Sequence, residues 1–227
     1  MTSYYWESLT GFIHYFQIPV LWFGLAGLLA GLSLFWFLIQ KILPFATSPE
    51  RAGPGCLTQI LDLLFQTLLV ALFVLLLLPV LLGQSRDLSW QAVEPLGFVA
   101  VRSSLLAMIL VTLVSFIPWL GKWLAGSPGL EAFLLAVLTF RWLSPLYLEA
   151  LLGPQVTLST LYPGLWDSVA YLLTALLLTR LSMVATYPLR NRPLFGVMVD
   201  ILAGILPFLM YAHGVAQRVA SQMSAMP

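Results

Sequence analysis

Charge is what this chain has least of. Of its 227 residues, 8% are Asp, Glu, Lys or Arg, against 60% hydrophobic, and mean hydropathy is +0.96. Soluble domains carry about 25% charged residues, so this chain lacks the polar surface needed to face water. The composition predicts an integral membrane protein. The net charge of +1 is scattered and forms no basic stripe, which excludes nucleic acid as a partner.

Other absences narrow the function. Cys56 is the lone cysteine, which excludes an intrachain disulfide, a CxxC pair and a cysteine metal cage. No lysine lies at the centre of an apolar run, so a retinal Schiff base is excluded. GxSxG, HExxH, Walker A and paired intramembrane aspartates are all missing, which argues against intramembrane enzymology. No catalytic residue, metal site or cofactor is therefore assigned. The opening MTSYYWESLTGFIHYFQ has no Lys or Arg and is interrupted by Tyr, Trp and His, unlike a cleavable signal peptide.

What remains reads as one polytopic membrane domain over 1–227, an all-α bundle of about six transmembrane helices. Apolar runs long enough to cross a bilayer fall at about 18–40, 58–82, 98–120, 130–152, 166–188 and 194–214. Ahead of them, Tyr5, Leu9, Phe12 and Phe16 recur at helical spacing, predicting an interfacial amphipathic helix over 4–17. Residues after 214 read as a polar, loosely ordered tail. The uncharged loop from Gly153 to Leu165 is open to two readings, an outer loop or a segment dipping back into the bundle. In the first run, Gly24, Gly27 and Gly31 offer a helix-packing seam, either within the bundle or to a second subunit.

Loop charges give an orientation. Lys41, Arg51, Lys122, Arg190 and Arg192 fall in the odd-numbered loops, and Arg86 and Arg218 on the other side. The positive-inside rule then places both termini outside, periplasmic in a bacterial inner membrane.

The charges inside the apolar runs are the candidate functional residues, because such groups are costly and usually paired or used. Positions symmetric about a turn share a depth in an antiparallel hairpin. Arg180 and Asp200 are symmetric about residue 190, and Arg102 and Glu149 about residue 125, predicting two ion pairs. Asp62, near the start of the second run, is a further ion-pair candidate.

Arg141 has no acid at its depth in either neighbouring hairpin, the facing positions being near Ile109 and Ala175. Pro145 removes the hydrogen bond to the Arg141 carbonyl and predicts a kink there. The candidate surroundings of Arg141 are a water-filled cavity, an anionic ligand, the freed carbonyl or a partner subunit. His14 and His213 fall on the same side and read as interfacial imidazoles rather than a bis-histidine haem site.

Two functional expectations follow. The first is a membrane-embedded transport component, a small permease or channel-like subunit within a larger complex, with Arg141 lining an anion or lipid-headgroup path. Active transport would then require a separate energy-coupling partner. The alternative is a non-catalytic scaffold or assembly subunit that joins other membrane subunits or a homo-oligomer. A lipid-acting enzyme is a third, because Arg141 beside an uncharged loop could hold an anionic headgroup.

Overall fold

Long apolar runs with few β-branched stretches and few turn residues fold as helices, and the computed structural model is all-helical among the residues it describes. Those residues are 4–15, 27, 67–68, 70–78, 94–118, 121, 124, 127–152, 158–189 and 193–224. The elements are α1 (Tyr4–Tyr15), a helical stretch over 70–78, α2 (Gly97–Ser115), α3 (Pro128–Leu152), the short α4 (Leu158–Leu161), α5 (Leu165–Thr186) and α6 (Pro193–Ser224). Among the described residues, four helices are long and apolar enough to cross a membrane, over Gly97–Val114, Pro128–Ala150, Leu165–Thr186 and Met198–Ser224. They correspond to the last four runs read from the sequence. The first two runs lie outside the described residues, apart from Gly27, 67–68 and 70–78.

The hub is α6, whose 32 residues span about 48 Å at the α-helical rise. It packs against α1, α3 and α5, while α2 packs on the far side of α3. Small residues let it take so many neighbours. A Cβ on Gly204 would lie 1.8 Å from the Gly129 carbonyl oxygen, so α3 and α6 meet backbone to backbone. Higher up, a Cβ on Gly214 would meet Tyr4 and Ser8 at 2.8 and 2.9 Å, which is where α1 crosses.

The predicted tail is instead the last turns of this helix. Ala212, Val215, Ala216 and Val219 keep the buried helical spacing beyond residue 214, and α1 covers them. The N-terminal helix is likewise more than a surface rider. Tyr4, Ser8 and Phe12 are buried, whereas Trp6 is exposed.

The core is crossed by a chain of rings, mostly edge to face. Trp6, Tyr5, Tyr171, Tyr211, Phe140, Phe208 and Phe73 follow one another at centroid separations of 5.7, 5.2, 5.4, 6.1, 5.8 and 5.9 Å. Such contacts add about 0.5–1.5 kcal/mol each beyond area burial.

Phenols in an apolar interior need partners, and Tyr5, Tyr171 and Tyr162 find them in a repeated way. Tyr5 bonds Thr174, Tyr171 bonds Ser8 and Tyr162 bonds Ser144. In each case the smaller hydroxyl gives its own proton to a carbonyl one turn back, namely Ala170, Tyr5 or Phe140. The tyrosine must therefore be the donor, because Ser and Thr have one proton to give. Tyr4 donates directly to the Leu161 carbonyl at 2.8 Å.

Candidate functional site

Arg141 lies near the middle of α3, roughly 20 Å from its N-terminal end, and its side chain is exposed. Its guanidinium carbon stands 3.6 Å from the ring centre of Tyr162, in the bend between α4 and α5. A cation held over an aromatic face gains about 0.5–2 kcal/mol, more where water is excluded.

The ring is held in place from behind. Tyr162 Oη donates to Ser144 Oγ at 2.7 Å, and Ser144 donates to the Phe140 carbonyl at 2.7 Å. Ser144 lies one turn beyond Arg141, so the guanidinium reaches along α3 toward the end of the bundle where α1 packs. Long cationic side chains in apolar surroundings reach outward in this way. Burial pushes the Tyr162 phenol above its ordinary pKa, against the opposing pull of the Ser144 bond and the Arg141 charge. The phenol stays protonated and keeps its role as donor.

Beside Arg141 the core holds the Phe140 and Tyr211 rings, and the guanidinium has an aromatic face for a partner. One face of the cation is covered and the side chain remains exposed, an arrangement that can receive an anion from outside the bundle.

The bend that carries Tyr162 is clamped on three sides. Its carbonyl neighbour Leu161 takes the Tyr4 hydroxyl of α1, Thr160 accepts from Gln222 of α6 at 2.6 Å, and Tyr162 itself touches α3. Burial, reinforced by the neighbouring Tyr171, raises the Tyr4 phenol well above the usual tyrosine range, so it too remains a donor. Docking of α1 is thus linked, through two consecutive residues, to the shelf under Arg141.

The two expected ion pairs are corrected. Asp200 is buried, but its carboxylate takes Ser182 Oγ at 2.7 Å, Ser127 Oγ at 3.1 Å and the Gly129 amide at 2.8 Å. Gly129 is the second residue of α3, whose first amides have no partner within the helix. Asp200 therefore satisfies a helix N-terminus, which also carries the positive end of the helix dipole. Arg180 points the other way, exposed, with Nη1 4.0 Å from Met183 Sδ.

Arg102 and Glu149 are both exposed, and among the described residues they do not pair. The α2–α3 contact runs through Ser104 and Thr139, 3.4 Å apart, which sets the hairpin centre near residue 121 rather than 125. Glu149 is then displaced by roughly 12 Å from the depth of Arg102.

A second acid repeats the pattern of Asp200. Asp167, in the first turn of α5, accepts the Tyr5 backbone amide at 3.0 Å, near the start of α1. Each of these carboxylates serves the N-terminus of another helix.

No family model, curated protein or solved structure matches the chain.

The remaining candidates divide simply. Pro145 lies inside α3 as expected, beside Ser144. Among the described residues, nothing lies within 4 Å of where a Cβ on Gly27 would stand. Gly24, Gly31 and Asp62 lie outside the described residues, as does the side chain of His14. His213 is buried where α6 meets Gly11 of α1. Among the described residues no group of three His, Cys, Asp or Glu could hold a metal.

The residues that sequence reasoning missed are Tyr162, Ser144, Ser127, Ser182 and Tyr4. Their only signal is that they are polar groups flanked by apolar runs, which need partners once buried.

Proposed function

We propose that the chain is the membrane-embedded component of a transport assembly, a small permease or channel-like subunit that handles an anion or an anionic lipid headgroup at Arg141. The observation that carries this reading is an exposed arginine whose guanidinium sits over a ring that is itself hydrogen-bonded in place. A charge at such depth in a bilayer costs from about 2.5 to more than 10 kcal/mol. One aromatic face offsets only part of that, and an anion on the open side would offset much of the rest. With rings filling the core beside Arg141, the path runs along the outside of α3 and not through the bundle centre. In this reading both termini lie on the outer side of a bacterial inner membrane, as the positive-inside rule applied to the loop charges supports, and uphill movement would draw on a separate energy-coupling partner.

The test is flux. Proteoliposomes loaded with phosphate or chloride should release it faster with the wild-type chain than without protein, and Arg141→Gln should return release to the empty-vesicle rate. Equal release by wild type and variant contradicts the reading.

A second reading, an assembly subunit joined to other membrane subunits or to itself, is favoured by Gly27. Its open face is suited to close approach by another helix. A chain that stays monomeric in mild detergent, with Gly27→Leu unaltered in behaviour, argues against it.

A further inference from the structure

A cleft of about 220 Å³ opens where α1 crosses α6, lined by Tyr4, Glu7, Gly214, Gln217, Arg218 and Ser221. It exists because Gly214 has no side chain to fill the crossing. Its walls carry one charge of each sign. Arg218 Nη2 lies 2.9 Å from Glu7 Oε2, and the Arg218 guanidinium carbon is 4.8 Å from the Tyr4 ring centre. Both charged side chains keep about 40–45% of their surface exposed. An ion pair open to this degree is only weakly held and can admit a ligand between its partners.

The depth of the cleft follows from the register of α5 and α6. Tyr171 faces Tyr211, and Ser182 meets Asp200, so Arg218 stands level with the first residues of α5. At that level Trp166 and Trp6 are exposed, and aromatic residues of this kind gather at the boundary between hydrocarbon and headgroups. Beyond it, α6 continues for its last turn and a half with Ser221 and Gln222. The cleft therefore opens at headgroup depth.

We infer that this cleft is a binding site for the headgroup of a zwitterionic phospholipid bearing a primary ammonium, of the phosphatidylethanolamine kind. Arg218 takes the phosphate, flanked by the Tyr4 ring, and Glu7 takes the ammonium. A purely anionic headgroup would meet Glu7, and a bare cation would meet Arg218, so one charge of each sign selects a zwitterion. The volume suits a headgroup and is smaller than the pockets that take drug-sized ligands. A quaternary ammonium cannot donate hydrogen bonds to Glu7, which separates ethanolamine from choline. The inference rests on this end of the bundle lying at a membrane surface and not on the role of Arg141.

The test is native mass spectrometry of the full chain, released from nanodiscs that contain equal parts phosphatidylethanolamine, phosphatidylcholine and phosphatidylglycerol. The wild-type chain should retain the ethanolamine lipid about tenfold over phosphatidylcholine, the scale set by one charge-assisted hydrogen bond, while any phosphatidylglycerol held at Arg141 is counted separately. Glu7→Gln should erase the preference over phosphatidylcholine. Ser221→Leu, at an exposed wall position, should block the cleft and lower retention about tenfold with thermal stability unchanged. Arg141→Gln should leave retention of the ethanolamine lipid as in wild type, so failure here and failure of the transport reading are separate results. Equal retention of the three lipids, or retention unaffected by Glu7→Gln and Ser221→Leu, overturns the inference. So does complete displacement of the lipid by soluble phosphoethanolamine, which would give the site to a free zwitterion.

Discussion

Asp200 Oδ2 lies 2.8 Å from the backbone nitrogen of Gly129, joining the middle helix of the bundle to the first turn of the helix that carries Arg141. The same carboxylate holds Ser127 and Ser182, so three helical segments meet on one acid. Asp200→Leu would strand the buried Gly129 amide and the Ser127 hydroxyl, while Ser182 keeps the Thr179 carbonyl, a loss of about 2–3 kcal/mol. Asp200→Asn keeps an acceptor for Gly129 and can turn its amide toward the serines, so about 1 kcal/mol is expected. Arg180→Gln, on the exposed side of α5, should stay within about 0.5 kcal/mol. Thermal unfolding in one detergent ranks the three variants. If Arg180→Gln matched Asp200→Leu, the old ion-pair reading would return.

How far the sequence reached can be seen in this residue. Symmetry about residue 190 placed Asp200 opposite Arg180, and the structure places it opposite Ser182, two residues away. Depth was legible because it depends on turn position, which prolines and charges mark. Rotation was not. Two residues along a helix turn the side chain by about 200°, so an arginine and a serine at nearly the same depth face opposite ways.

The α2–α3 hairpin failed earlier, because its turn lies among apolar residues and Gly, and its centre was misplaced. The partners that replace the arginines are backbone amides at helix starts, and no residue type announces them. The shelf under Arg141 was half visible. Pro145 and the uncharged loop drew attention to the right neighbourhood, but the contact with Tyr162 depends on how the chain returns from α3.

The α3–α6 crossing makes a sharper prediction. A Cβ at Gly129 would sit 1.9 Å from the Asp200 carbonyl oxygen, and no rotamer relieves a clash with backbone. Gly129→Ala and Gly204→Ala should each prevent a stable bundle. Gly27→Ala should be silent in a monomer, since no described residue lies within 4 Å of its Cβ position. Expression yield and size-exclusion profile distinguish these outcomes, and well-behaved Gly204→Ala protein would contradict the close crossing.

Tyr162 separates two contributions to the Arg141 shelf. Tyr162→Phe keeps the ring and loses the bond to Ser144, for about 0.5–1.5 kcal/mol. Tyr162→Leu also removes the aromatic face and should cost about 0.5–2 kcal/mol more. Combining Tyr162→Leu with Arg141→Gln should restore part of that difference, because the cation no longer lacks its ring. A double-mutant cycle on melting temperature measures the coupling, and strict additivity would mean the stacking contributes nothing.

The central claim is that Arg141 receives an anion from outside the bundle. Its most direct measurement is the amount of phosphatidylglycerol or inorganic phosphate retained by purified wild type, Arg141→Lys and Arg141→Gln in native mass spectrometry. The account predicts strong retention by wild type, partial retention by Arg141→Lys, which keeps the charge without the flat stack, and loss of about tenfold or more in Arg141→Gln. Arg141→Gln should fold and melt only slightly lower, by the loss of about 0.5–2 kcal/mol of contact with the Tyr162 ring. Equal retention by wild type and Arg141→Gln would contradict it.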